Sequence, residues 1–129
     1  NALAANTTGT HSTAFGSTAL AANTTGGANV AVGSRALEAN TTAASNTAVG
    51  YKAMLSTTTG VHNTAVGRDA LMNNTTGAEQ VAIGYQALYA TTAAATKNVA
   101  IGKYAGYGLT AVNKRIKGIK IKICFNSIS

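Results

Sequence analysis

Glycines recur at Gly16, Gly33, Gly50, Gly67, Gly84 and Gly102, at spacings of 17, 17, 17, 17 and 18 residues. A fixed period of this length constrains the fold more than any composition does, because each unit has to adopt the same shape and stack on the next. Aligned on the glycines, the chain reads Asn29-Val-Ala-Val-Gly33, Asn46-Thr-Ala-Val-Gly50, Asn63-Thr-Ala-Val-Gly67, Gln80-Val-Ala-Ile-Gly84 and Asn98-Val-Ala-Ile-Gly102, with Ser12-Thr-Ala-Phe-Gly16 as a divergent copy. A few residues after most of these glycines comes an Ala-Leu pair or its Ala-Met equivalent: Ala19-Leu20, Ala36-Leu37, Ala53-Met54, Ala70-Leu71 and Ala87-Leu88. An Asn-Thr-Thr-Gly element closes the unit at Asn23–Gly26 and Asn74–Gly77, with variants starting at Asn40, Thr57 and Thr91.

Seventeen residues are too few for a helical-hairpin repeat. Recurrent Gly, Thr-Thr pairs and β-branched alternation also disfavour helix. The expected fold is all-β: a parallel β-solenoid, or β-roll, with two short strands per coil, one at x-Val-Ala-Val/Ile and one around Ala-Leu. Gly and Asn-Thr-Thr-Gly form the turns between them. Residues 1–108 hold about six and a half such units, and 109–129 form a basic amphipathic C-terminal strand or cap.

Stacking turns the repeat into ladders. Val32, Val49, Val66, Ile83 and Ile101 form one column, expected to face inward, with the intervening Ala31, Ala48, Ala65, Ala82 and Ala100 facing out. Asn29, Asn46 and Asn63, continued by Gln80 and Asn98, form an amide ladder joining coil to coil. Gly33, Gly50, Gly67 and Gly84 mark the turn. The Ala-Leu segment poses a parity problem, since neighbouring strand residues face opposite sides. One apolar column is therefore left outside, and lateral association would bury it.

The units Asn46-Thr-Ala-Val-Gly-Tyr-Lys-Ala-Met54 and Asn63-Thr-Ala-Val-Gly67 with Ala70-Leu71 and Asn74-Thr-Thr-Gly77 resemble the repeat arrays of phage tail-fibre and host-specificity proteins. They also resemble the heads of trimeric autotransporter adhesins, left-handed parallel β-rolls with a repeating Val-Ala-Ile-Gly strand. The resemblance covers residues 1–108, although adhesin-head units are shorter. It implies a side-by-side homotrimer, an extracellular location on a virion fibre or bacterial surface, and a role as a rigid spacer or shaft.

Charge and chemistry narrow the alternatives. The formal net charge is +7, but residues 1–109 contribute +2 and the last twenty contribute +5. The basic balance thus describes the tail, where Ile119, Ile121, Ile123 and Phe125 alternate with Lys120, Lys122 and Cys124. This argues against a nucleic-acid partner for the body. No apolar run is long enough to span a membrane. One cysteine, Cys124, excludes an intrachain disulfide. His11 and His62 are three coils apart, and Glu38, Asp69 and Glu79 fall at different repeat positions. No catalytic set, metal site or cofactor fingerprint is assembled, so an enzyme is not expected.

Three surfaces remain as candidates. Tyr51, Tyr85, Tyr89, Tyr104 and Tyr107 gather in the later coils and are the candidate surface contacts of a glycan-binding module recognising a cell surface. The Thr24, Thr41, Thr58, Thr75 and Thr92 column raises an ice-binding reading, weakened because its partner threonines are adjacent rather than alternate. Asn6, Asn23, Asn40 and Asn74 form Asn-x-Thr sequons, read as turn chemistry rather than glycosylation acceptors.

Overall fold

The computed structural model describes residues 1–91 and 95–109 together with the backbone of 120–123. Its strands are β1 Thr13–Phe15, β2 Val30–Val32, β3 Thr47–Val49, β4 Thr64–Val66, β5 Val81–Ile83, β6 Asn98–Ile101 and β7 Lys120–Ile123. They form a single sheet in chain order, every neighbouring pair parallel. The pairing is in register with the repeat: Ala31 opposes Ala48, Ala48 opposes Ala65 and Ala65 opposes Ala82. The fold is the expected parallel β-solenoid of 17-residue coils, with no helix among the described residues. At about 4.8 Å per coil, the five turns from β1 to β6 rise roughly 24 Å. The backbone of β7 continues the sheet beyond β6, with Asn98 opposite Lys120 and Ile101 opposite Ile123. The rest of the tail, including Ile119, Cys124 and Phe125, lies outside the described residues, as does Thr92.

The second expected strand is absent. Between Gly33 and Asn40 the chain makes two successive turns, in which Ala36 N donates to Gly33 O (3.2 Å) and Asn40 N donates to Leu37 O (3.1 Å). Each turn carries a residue in the left-handed region, Arg35 at φ 63° and Leu37 at φ 51°. The same positions repeat at Lys52 and Met54, and at Asp69 and Leu71. Left-handed backbone at Leu breaks the strict alternation of a strand, so Ala36 and Leu37 both turn inward and both are fully buried. This resolves the parity problem without a bulge. Turn hydrogen bonds alternate with coil-to-coil bonds such as Leu37 N to Ala53 O (3.0 Å), which keep this wall in register with the sheet.

The sheet faces the opposite way from expectation. Ala31, Ala48, Ala65, Ala82 and Ala100 are the buried column, whereas Val32, Val49, Val66, Ile83 and Ile101 lie on the outer face. The reason is volume. The Leu20, Leu37, Met54, Leu71, Leu88 column enters from the turn wall and fills the narrow interior, leaving room only for methyl groups opposite. Amide parity agrees, because Asn46 and Ala48 share a face of their coil and Asn46 is fully buried. An inward amide ladder and an inward Val column exclude each other.

Two amide ladders line one end of the interior. In the first, Asn46 Nδ2 donates to Gly60 O (2.8 Å) and Asn63 Nδ2 donates to Gly77 O (2.8 Å). Asn46 Oδ1 meanwhile accepts from the backbone N (2.9 Å) and Nδ2 (3.1 Å) of Asn63. In the second, Asn23 Nδ2 donates to Asn6 Oδ1 (2.9 Å) and Asn40 Nδ2 donates to Asn23 Oδ1 (2.7 Å). This second ladder stops at Thr57, whose hydroxyl donates to Asn74 O (2.9 Å), leaving Asn40 Oδ1 buried without a partner.

The turn glycine is required twice over. Gly50 has φ 137°, and a Cβ there would sit 2.5 Å from Gly67 O of the next coil. The coil ends differ at the last unit, where Gly106 (φ 64°) takes the place of the core Leu. Leu109 occupies that space, packed against the core, and a Cβ on Gly106 would meet its Cδ1 at 3.1 Å.

Two substitutions test this account. Gly50→Ala forces a backbone shift at the coil contact and should lower unfolding stability by about 2–4 kcal/mol in chemical denaturation. Thr57→Asn extends the second ladder to the orphaned Asn40 Oδ1, and should raise stability by about 1 kcal/mol. No gain would mean that the interruption at Thr57 carries no cost.

Candidate functional site

The outer side of the sheet carries two columns. One is Phe15, Val32, Val49, Val66, Ile83 and Ile101; the other, two residues earlier in each coil, is Thr13, Val30, Thr47, Thr64, Val81 and Val99. Stacking makes each column continuous along the rod. Its exposure is substantial, with Phe15 75% exposed and Ile101 49% exposed at the two ends. A β-branched apolar column on the outside is the surplus that the sequence signalled, though at a different position in the coil.

Just past the glycine turn lies a second surface, formed by the column Ser17, Ser34, Tyr51, Arg68, Tyr85 and Lys103. Residues one position later, Lys52 and Tyr104 among them, adopt left-handed backbone and lie beside it. The result is an alternating stack of rings and cations. Arg68 Cζ lies 5.5 Å from the Tyr51 ring centre and 5.8 Å from that of Tyr85. Lys52 Nζ lies 5.1 Å from the Tyr51 centre, and Lys103 Nζ lies 6.0 Å and 5.2 Å from those of Tyr85 and Tyr104. The distances suit cation–π attraction.

Of the five tyrosines singled out from sequence, four form one cluster. Tyr85 and Tyr104 meet edge to face at 5.4 Å, Tyr104 and Tyr107 do so at 5.7 Å, and Tyr89 stacks on Tyr107 at 5.0 Å with planes 2° apart. Tyr51 joins them only through Arg68. The cations between the rings were legible in the sequence, since Arg68 and Lys103 occupy the same repeat position as Tyr51 and Tyr85.

The described acids are all engaged with cations. Glu38 Oε2 accepts from Arg35 Nε (2.7 Å), a hydrogen bond that raises the guanidinium pKa further above its ordinary value. Asp69 Oδ2 accepts from Arg68 Nε (3.3 Å), and Glu79 lies 3.8 Å from Lys97 Nζ. No group of three or more His, Cys, Asp or Glu among the described residues is placed to hold a metal. His11 and His62 are exposed at the left-handed loop position of their coils, φ 59° and 58°.

The remaining candidates are structural. Thr24 Oγ1 donates to Thr41 O (3.0 Å), Thr41 Oγ1 to Thr58 O (3.4 Å) and Thr58 Oγ1 to Thr75 O (3.3 Å). These hydroxyls staple coil to coil rather than form a free row for ice. Asn23, Asn40 and Asn74 are fully buried within the turn, so in the folded chain their amides are closed to glycosylation. No helix among the described residues is long and apolar enough to cross a membrane. Comparison with protein-family models, with curated proteins and with solved structures finds no match.

Proposed function

We propose that this chain is a stiff segment of an extracellular fibre or adhesin on a virion or bacterial surface. Three copies pack side by side, with their Val/Ile columns turned to the shared axis. The observation that carries the reading is the unbroken outer column Phe15, Val32, Val49, Val66, Ile83 and Ile101, which one chain by itself leaves in contact with water. Complete burial of one such side chain is worth about 1.5–3 kcal/mol, and the column offers one per coil. Its in-register spacing suits a partner with the same rise per coil, which a second copy of the chain has. The number three comes from the resemblance to fibre and adhesin repeats.

The proposed role is mechanical, since the rod is held by hydrogen bonds along its axis and its described acids are committed to ion pairs. Glycan recognition by the same fold is the second reading, favoured by the aromatic and basic strip beside the glycine turn.

Sedimentation or light scattering on the chain at micromolar concentration should give a trimeric mass. Val49→Lys with Val66→Lys should give monomers whose far-UV circular dichroism is unchanged, because both side chains point away from the core. A wild-type chain that stays monomeric at these concentrations would refute the assembly.

A further inference from the structure

We infer that the strip from Tyr51 to Tyr104 binds a linear acidic polysaccharide, its carboxylates lying against Arg68 and Lys103 and its hydroxyls against the tyrosine phenols. The inference rests on the glycan-recognition reading, names its ligand class, and needs the surface of a single chain only.

Three observations carry it. The charge on the strip is sorted by depth: the Asp69 side chain is 7% exposed and turned toward the rod, while that of Arg68 is 63% exposed. Asp69 also accepts from Gln86 Nε2 (3.5 Å) of the neighbouring coil, so the acid is held within the rod wall while the cation is presented outward. Lys52 and Lys103 have no carboxylate partner among the described residues. The outward field of the strip is therefore positive, although the body as a whole carries few charges.

Two of these cations are spaced along the rod axis. Arg68 and Lys103 occupy the same column two coils apart, hence about 10 Å along the rod. That is close to the length of a disaccharide, so in a uronate chain the carboxylate of every second sugar meets a cation, with Tyr85 between them. A flexible or branched anion gains nothing from such a row.

The tyrosine faces, finally, select among linear polyanions. Tyr51 and Tyr85 lie between cations, Tyr104 is faced by Lys103, and Tyr89 and Tyr107 cover one another. Single-stranded nucleic acid takes much of its affinity from bases stacked on open aromatic faces. Here each of these rings already has a cation or another ring on at least one face, which suits contact with sugar hydroxyls better than stacking of bases.

The test uses the full chain with oligogalacturonate as probe, beside a neutral oligoglucan of equal length and oligo-dT of equal charge. Oligogalacturonate should bind in a salt-sensitive manner. Arg68→Gln with Lys103→Gln should weaken it about tenfold or more, equivalent to about 1.4 kcal/mol, with circular dichroism unchanged. Lys120→Gln with Lys122→Gln should leave it unchanged. The inference is overturned if oligogalacturonate does not bind, if oligoglucan or oligo-dT binds as tightly, if the strip variant has no effect, or if the tail variant abolishes binding. Measuring mass and binding on the same wild-type chain separates the two ideas: a monomer that still binds refutes the trimer alone, and a trimer that does not bind refutes the site alone.

Discussion

Every residue of a coil rests on its equivalent in the next coil, one strand spacing away, and this in-register stacking is the constraint on which the rest of the molecule depends. It sets the glycine column, because backbone meets backbone at Gly50 and Gly67 with no room for a Cβ. It makes amide ladders possible, since Asn46 and Asn63 are held at hydrogen-bond distance by the sheet register itself. It also sustains an expensive backbone. Among the described residues, eighteen other than glycine have positive φ, at a cost of about 1 kcal/mol each where the side chain is not Asn or Asp. Such conformations persist only when their surroundings determine them. Here sixteen of the eighteen donate their N–H to a neighbouring coil, as Leu37 does to Ala53 and Lys52 does to Ser34.

The same constraint explains which parts of the fold were legible in the sequence. Period, the position of the Val-Ala-Val/Ile strand, turn glycine and stacking register all follow from identity between units, and each is found as the sequence implies, whereas the strand expected at Ala-Leu is a pair of turns. The facing of the sheet was not legible from hydrophobicity, because the usual rule turns Val and Ile inward and leaves Ala out. That rule assumes a core with space to fill. In this rod the space is already taken by the Leu/Met column, and the information that it enters from the turn wall lies in the positive φ of Leu37 and Met54. No propensity announces a left-handed leucine. One signal was present and decisive: Asn46 and Ala48 have the same parity, so an amide ladder inside the rod requires the alanines inside as well.

The second ladder went unread for a related reason. Asn23, Asn40 and Asn74 sit in Asn-Thr-Thr sequences that look like ordinary exposed turns, yet all three are fully buried. A turn is normally a surface feature whose polar side chains meet water. In a stacked coil the turn has neighbours above and below, and its inner side is sealed by them. Asn23 Nδ2 thus caps Gly26 O (2.9 Å) of its own turn and reaches Asn6 of the neighbouring coil as well. The interior is therefore part hydrocarbon and part hydrogen-bonded amide. This lets a chain poor in aromatic residues fill its core.

Because the coils share one shape, differences among them mark where the shape makes no demand. The buried Ala31 column is alanine in coil after coil and the turn column is glycine throughout, whereas the column after the glycine runs Ser17, Ser34, Tyr51, Arg68, Tyr85, Lys103. Residues chosen only to be tolerated at a solvated edge would be mixed along the rod. These are instead graded: small hydroxyls in the first coils, then rings and cations alternating without a break. The column four residues further on runs Ala21, Glu38, Leu55, Met72, Tyr89, Tyr107, so it too ends in rings. Aromatic stacks of this kind add attraction along the axis, and they also give the later coils a chemistry the early ones lack. A uniform rod needs no such polarity along its length. The gradient confines the rings and outward cations of this column to the coils from the third strand onward, and it is the feature that a purely mechanical shaft leaves unexplained.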